Sequence, residues 1–207
     1  MENKKGTTTL GLVFKDGIIA AAEHRATMGT LIAHKVAKKI YMIGDHMLLT
    51  TAGLVGDAQL LARFLRVESE LYMLEREEKM PIKGAATLMA NILNQRKFYP
   101  YYVQLIIGGV DSTGPHIFSI DAAGGAIEDV YTTTGSGSPY VFGVLEDGYK
   151  EGMDMEEAIN IAIRAMSAAM KRDSASGDGM DVVVITSKEY KELSNEEIEK
   201  RKKELGL

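Results

Sequence analysis

Three polar sites in this chain sit where a fold has little use for charge. Glu23 follows directly on the apolar run Ile18 to Ala22, where a strand would end. Lys39 lies in the stretch Val-Ala-Lys-Lys-Ile-Tyr, in which a period of two turns one lysine of the pair inward. Asp173-Ser174-Ala175-Ser176-Gly177 interrupts the passage from a helical stretch to an apolar strand. A buried lysine needs a carboxylate partner, and Glu23 and Asp173 are available. Taken singly, each site also suits a plainer use: a solvated strand edge, a lysine guarding a sheet edge, or a turn that ends a helix. Gly6-Thr7-Thr8-Thr9 carries the same ambiguity. It opens a strand in which Leu10, Leu12 and Phe14 alternate with Thr9, Gly11 and Val13. If the Gly6–Thr7 bond is cut instead, Thr7 gains a free amine beside its hydroxyl and becomes a nucleophile with its own base.

Other chemistries find less support. The absence of cysteine excludes disulfides, thiolate metal sites and cysteine nucleophiles. His24, His34, His46 and His116 lack metal-ligand spacing, so no metal is expected. Gly135-Ser136-Gly137-Ser138 lacks the lysine that follows a phosphate loop, and a turn into a helix explains it equally well. Nothing in the chain calls for a cofactor. A net charge of -5 with interspersed basic residues argues against nucleic acid as the main partner. No apolar run approaches the ~20 residues that span a bilayer. The opening Met-Glu-Asn-Lys-Lys-Gly lacks the apolar segment of a secretory signal, so a soluble intracellular protein is expected.

Positioning these residues falls to a regular succession of elements. A hairpin joins Thr7 to Phe14 with Ile18 to Ala22 across Lys15-Asp16-Gly17, and two further strands are expected over 36–43 and 47–51. From Val55 the period lengthens to about 3.6, and Leu60, Leu61, Phe64, Leu65, Leu71 and Tyr72 are read as one apolar helix face. A second helix begins at Pro81 and ends before Pro100. Strands follow over 101–107, 117–120 and 127–133, then helices over 139–149 and 155–171, the latter behind the capping pair Asp154 and Glu157. A strand over 180–186 and a charged helix capped by Ser194 and Glu197 complete the chain. With 207 residues, 45% of them hydrophobic, one domain is expected. Blocks of strands separated by helix pairs argue against βαβ winding. They predict an α+β fold, a four-layer αββα sandwich of two mostly antiparallel sheets between helix pairs.

Six segments, taken in order, carry a resemblance. They are Gly6-Thr7-Thr8-Thr9, Glu23-His24-Arg25-Ala26-Thr27, Lys38-Lys39-Ile40, Thr51-Ala52-Gly53-Leu54-Val55-Gly56-Asp57, Gly135-Ser136-Gly137-Ser138 and Arg172-Asp173-Ser174-Ala175-Ser176-Gly177. Together they resemble the catalytic β subunits of archaeal 20S proteasomes, which are N-terminal nucleophile hydrolases. The resemblance runs from Gly6 to about Thr186.

The resemblance implies a propeptide, residues 1–6, removed by self-cleavage at Gly6–Thr7, and a single hydrolase domain over 7–207 that acts as a threonine endopeptidase. It makes Thr7 the nucleophile, with Lys39 close to its hydroxyl and Glu23 paired to Lys39. The family often has Asp in place of Glu23, one methylene shorter. Asp173, Ser176 and Ser136 would surround the Thr7 amine, and the Gly53 N–H would be the oxyanion donor. Thr27 and Gly53 would hold the extended substrate backbone. Ala26, Ala37, Thr51 and Val55 would surround the first specificity pocket, whose small or apolar walls imply cleavage after hydrophobic residues. Implied partners are other β subunits in a heptameric ring, α rings, and an ATPase that delivers unfolded polypeptide in the cytoplasm, with no nucleic acid or membrane. An unprocessed structural ring subunit and a small-amide hydrolase of the same superfamily are the alternatives. The joint presence of Thr7, Glu23, Lys39 and Asp173 favours the protease.

Overall fold

The computed structural model describes residues 6–207. One sheet has the strand order β10-β1-β2-β11-β12, built from Tyr131–Gly135, Thr8–Phe14, Gly17–Glu23, Met180–Thr186 and Tyr190–Glu192. The other runs β5-β6-β7-β8-β9: Ile40–Met42, Met47–Gly53, Val103–Asp111, Gly114–Ile120 and Ala126–Glu128. Every neighbouring pair described in both sheets is antiparallel. Helices α1 (Val55–Arg76) and α2 (Ile82–Gln95) cover the second sheet, α3 (Ser138–Gly148) and α4 (Met155–Arg172) cover the first, and α5 (Asn195–Glu204) packs on α4. The four-layer αββα sandwich is the architecture the element order predicts.

Three apolar layers follow from the strand pleat. Leu10, Leu12, Ile19 and Ala21 face α3 and α4, whereas Ile18, Ala20 and Ala22 meet Ile106 and Ile117 between the sheets. Strand β2 is thus buried on both faces, which is why it reads as an unbroken apolar run. Glu23 is its last residue and has no exposure at all. Burying an acid costs several kcal/mol unless donors surround it.

The helix caps follow the sequence closely. Asp154 and Glu157 form both halves of the capping box on α4, and the Ser194 side chain accepts from the Glu157-like position of α5, the Glu197 N–H. Elsewhere local patterns mislead. The expected strand over 36–43 is only β5, because residues 35–39 leave the sheet and turn Lys39 inward. The expected strand over 127–133 is two strands in different sheets, β9 and β10, with the chain crossing at Asp129 and Val130. A short hairpin, β3 (Ala26–Met28) with β4 (Leu31–His34), was not foreseen, and it forms a separate two-stranded sheet. Finally, α1 has two apolar faces instead of one. Leu61 and Leu65 are buried against the sheet, while Leu60, Phe64, Val67, Leu71 and Leu74 are exposed on the opposite side.

Candidate active site

The site lies where β1 begins and β2 and β6 end. Glu23 is held by four donors. Its Oε1 accepts from the Thr8 N–H at 3.1 Å and from Lys39 Nζ, and its Oε2 accepts from the Arg25 N–H at 2.7 Å and the Gly177 N–H at 3.1 Å. These contacts tie the start of β1, the end of β2, the segment before β5 and the loop before β11 to one carboxylate. The extra methylene of glutamate does not prevent the pairing with Lys39. Lys39 also donates to the Arg25 carbonyl at 2.6 Å. An ammonium has three protons, so one is left for the cleft, whose wall Lys39 shares with Thr7. Burial pushes the Lys39 ammonium below the usual lysine value, against the opposing charges of Glu23 and Asp173.

A second network surrounds the Thr7 nitrogen. Ser136 Oγ donates to Asp173 Oδ2 at 2.6 Å, and with its single proton so used it accepts the Thr7 N–H at 3.2 Å. Ser176 Oγ donates to the same Asp173 oxygen at 2.7 Å and accepts from Thr8 Oγ1 at 2.6 Å. Asp173 Oδ1 takes the Ala175 N–H at 3.2 Å. The glycines of Gly135-Ser136-Gly137 make this approach possible. At Gly135, with φ of 94°, a Cβ would lie 2.0 Å from the Thr7 carbonyl oxygen, and at Gly137 it would lie 2.0 Å from Thr8 Oγ1. Only a loop without side chains at these two places can press Ser136 against Thr7.

A cleft of about 480 Å³ opens beside these groups. Its walls include Gly6, Thr7, Lys39 and Gly53, and the expected pocket residues Ala26, Thr27, Ala37, Thr51 and Val55 all line it. Gly53 has φ of 123°, a conformation that favours glycine. Thr27 meets the chain with its side chain, Oγ1 accepting the Gly6 N–H at 3.1 Å.

The sequence-predicted residues therefore converge: Thr7, Glu23, Lys39, Ser136, Asp173 and Ser176 belong to two linked networks beside one cleft. Reasoning from sequence missed Thr8, which bridges both networks, and Met28, His34 and Tyr41, which line the cleft. Met28 and His34 belong to the unforeseen hairpin. Its signal was Met28-Gly29-Thr30, where Gly29 takes φ of 62° between two short apolar runs. Among the described residues no group of acidic or histidine side chains is arranged to hold a metal.

The "Proteasome subunit" family matches residues 3–185. "Proteasome subunit beta" of Ferroglobus placidus is 59% identical over 196 residues, covering 94% of this chain and 93% of that protein. The protein of the same name from Methanosphaerula palustris is 57% identical, with 96% and 94% covered, and that from Thermoplasma acidophilum is 54% identical, with 98% and 96% covered.

Proposed function

Since the chain belongs to the proteasome subunit family, as a catalytic beta subunit of the archaeal 20S type, we propose that it is a threonine endopeptidase whose nucleophile, Thr7, is released by cleavage of Gly6–Thr7. As a beta subunit it is part of a proteasome core peptidase. The observation that carries the finer reading is the Glu23–Lys39 pair, buried at the mouth of the cleft that Thr7 lines. A purely structural subunit gains nothing from a lysine held there with a spare proton.

In the precursor the Thr7 nitrogen is an amide and cannot act as a base. Thr7 Oγ1 adds to the Gly6 carbonyl carbon, the C–N bond breaks, and the proton leaving the hydroxyl ends on the departing nitrogen. This yields an ester and a free amine. Water then hydrolyses the ester, leaving a Gly6 carboxylate and restoring the Thr7 hydroxyl. The α-amine so formed has an ordinary pKa of ~7.7–8.0 and serves as the base in later turnovers. In those turnovers the Thr7 oxygen forms an ester with the substrate acyl group, the amine of the leaving peptide takes the proton, and water releases the acyl product.

Lys39 stabilises the developing alkoxide, Glu23 holds Lys39, and Asp173 with Ser136 and Ser176 orients the amine. The Gly53 N–H receives the oxyanion. Thr27 and Gly53 align the substrate backbone as an added strand. The cleft's small and apolar walls favour hydrophobic residues before the cut, with low stringency.

The outer face of α1 fits the assembly this requires. Leu60, Phe64, Val67, Leu71 and Leu74 alternate spacings of four and three, the seam of a helix packed on another helix, and Leu74 is 78% exposed. Glu68, Glu70, Glu75 and Glu77 flank the seam with Arg63 as the one base among them, so a partner helix with basic flanks, assigned here to an α-ring subunit, suits it better than a second copy. Among the described residues no helix is long and apolar enough to cross a membrane. A heptameric β ring between α rings, fed with unfolded polypeptide by a cytoplasmic ATPase, completes the reading.

The test is Thr7→Ala. Hydrolysis of a fluorogenic peptide with a hydrophobic residue before the cut is expected to fall by on the order of 10⁴-fold or more, with assembly retained. Turnover at the wild-type rate would remove Thr7 from the nucleophile's role.

A further inference from the structure

Between the two sheets the packing is apolar, with Ile18, Ala20, Leu48, Ile106 and Ile117 in contact, until the layer nearest the cleft. There Thr9 Oγ1 meets Thr50 Oγ1 at 2.9 Å and Thr134 Oγ1 at 2.7 Å, and the Thr9 carbonyl accepts from Thr133 Oγ1 at 2.7 Å. Thr9 and Thr50 have no exposure, and Thr134 is buried with them. A hydroxyl has one proton, so Thr9 donates to one neighbour and accepts from the other. Valine has the same shape and would fill this layer without the cost of burying a hydroxyl. Packing alone does not account for the three.

Their places along the strands do. Thr9 follows Thr7 by two residues on the same face of β1, Thr50 precedes Gly53 by three on β6, and Thr134 precedes Ser136 by two on β10. The Thr9–Thr134 contact reinforces a pair already opposed in one sheet, whereas Thr9–Thr50 crosses to the other sheet. Among the described residues one further hydrogen bond joins a strand of one sheet to a strand of the other, from the Gly135 N–H to Gln104 Oε1 at 3.0 Å, and it lies next to Ser136. Apolar contact is non-directional, but a hydrogen bond fixes distance and angle. The sheets are therefore held in a defined register at the end where Thr7 and Gly53 face the cleft.

We propose that Thr9 is a positioning residue for the reaction, whose hydroxyl, bonded to Thr50 across the sheets and to Thr134 within its own, sets the placement of the Thr7 oxygen relative to the Gly53 N–H. The proposal rests on the reading of Thr7 as nucleophile and Gly53 as oxyanion donor. Thr9 does not itself line the cleft. Without its bond to Thr50, β1 and β6 are free to shift against each other, and a misplacement of ~1 Å at a reacting centre costs ~10²-fold in rate.

Steady-state hydrolysis of a fluorogenic peptide by assembled particles tests this, with kcat referred to the chains that intact mass shows to begin at Thr7 and with thermal unfolding followed alongside. Thr9→Val keeps the shape and removes the bond. It should lower kcat by at least about tenfold with KM within about twofold of the wild type, because the cleft walls are unchanged. Thr9→Ser keeps the hydroxyl and should recover most of that loss. Thr9→Val combined with Thr50→Val leaves neither partner of the cross-sheet bond buried alone, which is nearly neutral for folding. That chain should still be slow, by no more than the slower single variant, since all three lack the same bond. Loss of the leader should slow in step, because self-cleavage uses the same Thr7 oxygen. A lowered unfolding midpoint with kcat unchanged is the mark of a purely structural role and would overturn the proposal. So would a Thr9→Ser no faster than Thr9→Val, or a double variant whose loss is the product of the two single losses. These results overturn the positioning role alone where Thr7→Ala is inactive; an active Thr7→Ala would instead overturn the reading beneath it.

Discussion

The sandwich carries a cleft at each end, and the two are nearly equal in size, about 480 Å³ beside Thr7 and about 460 Å³ between His46, Asp111 and Tyr190. At the far end the hydrogen bonds that are made serve the fold. Asp111 accepts the Ile82 N–H at 2.9 Å, supplying a cap to α2 where Pro81 cannot, and His46 Nε2 meets the Met80 carbonyl at 2.9 Å. Lys79 pairs with an Asp45 that is 70% exposed. Beside Thr7 the charges are buried, and Lys39 keeps a proton that the fold does not use. Cleft size does not separate the two ends. Buried charge with spare valence does.

The contrast is tested most severely at Lys39. Lys39→Arg puts a larger group that stays protonated into a full site, and peptide hydrolysis should fall by at least about 10³-fold. Near-normal activity would mean that the amine need not be compact. Glu23→Gln should lower kcat by about 100-fold or more and destabilise the fold by ~3–5 kcal/mol, since it leaves Lys39 buried without its counter-charge. Denaturant unfolding together with steady-state assays reads both effects.

Substitutions at the far end should act on stability alone. Asp111→Ala is expected to cost about 1 kcal/mol as a lost helix cap, and Lys79→Ala less than that, as a lost surface pair, with hydrolysis unchanged in both. A loss of activity there would erase the distinction between the clefts.

The smallest effect concerns pH. A hydrogen bond that His24 donates to Asp181, with the charges of Asp181 and Glu23, holds His24 above its usual value near 6.5. Because the folded value is raised, the His24–Asp181 contribution is fully present below about pH 6.5 and is lost as pH rises through the higher folded value. His24→Gln should therefore flatten the decline of stability as pH rises above about 6.5. An unchanged slope would show that the pair does not link folding to pH.

The difference between the clefts was partly legible in the sequence. Glu23 stood out because an acid ended an apolar run, and Lys39 because a lysine sat among apolar neighbours. Both signals are local consequences of burial. The helices and the Asp154–Glu157 cap were legible for the same reason. What escaped detection depended on distant pairing. Tyr131–Gly135 joins the first sheet because it pairs with Thr8–Phe14, more than a hundred residues earlier, and a period of two does not say which sheet a strand will join. The β3–β4 hairpin escaped because β4 is exposed throughout and shows no buried face to reveal it. On α1 the two apolar stripes merged into one, since composition alone does not separate a core face from an outward one.

Whether Thr7 begins the working protein tests the central claim most directly. Intact mass and N-terminal sequencing of the chain, recovered from particles assembled with an α subunit, should show a species that starts at Thr7 and lacks residues 1–6. A chain that assembles fully and still carries Gly6 would contradict the account, because its Thr7 nitrogen would remain an amide and the base at the centre of the mechanism would not exist.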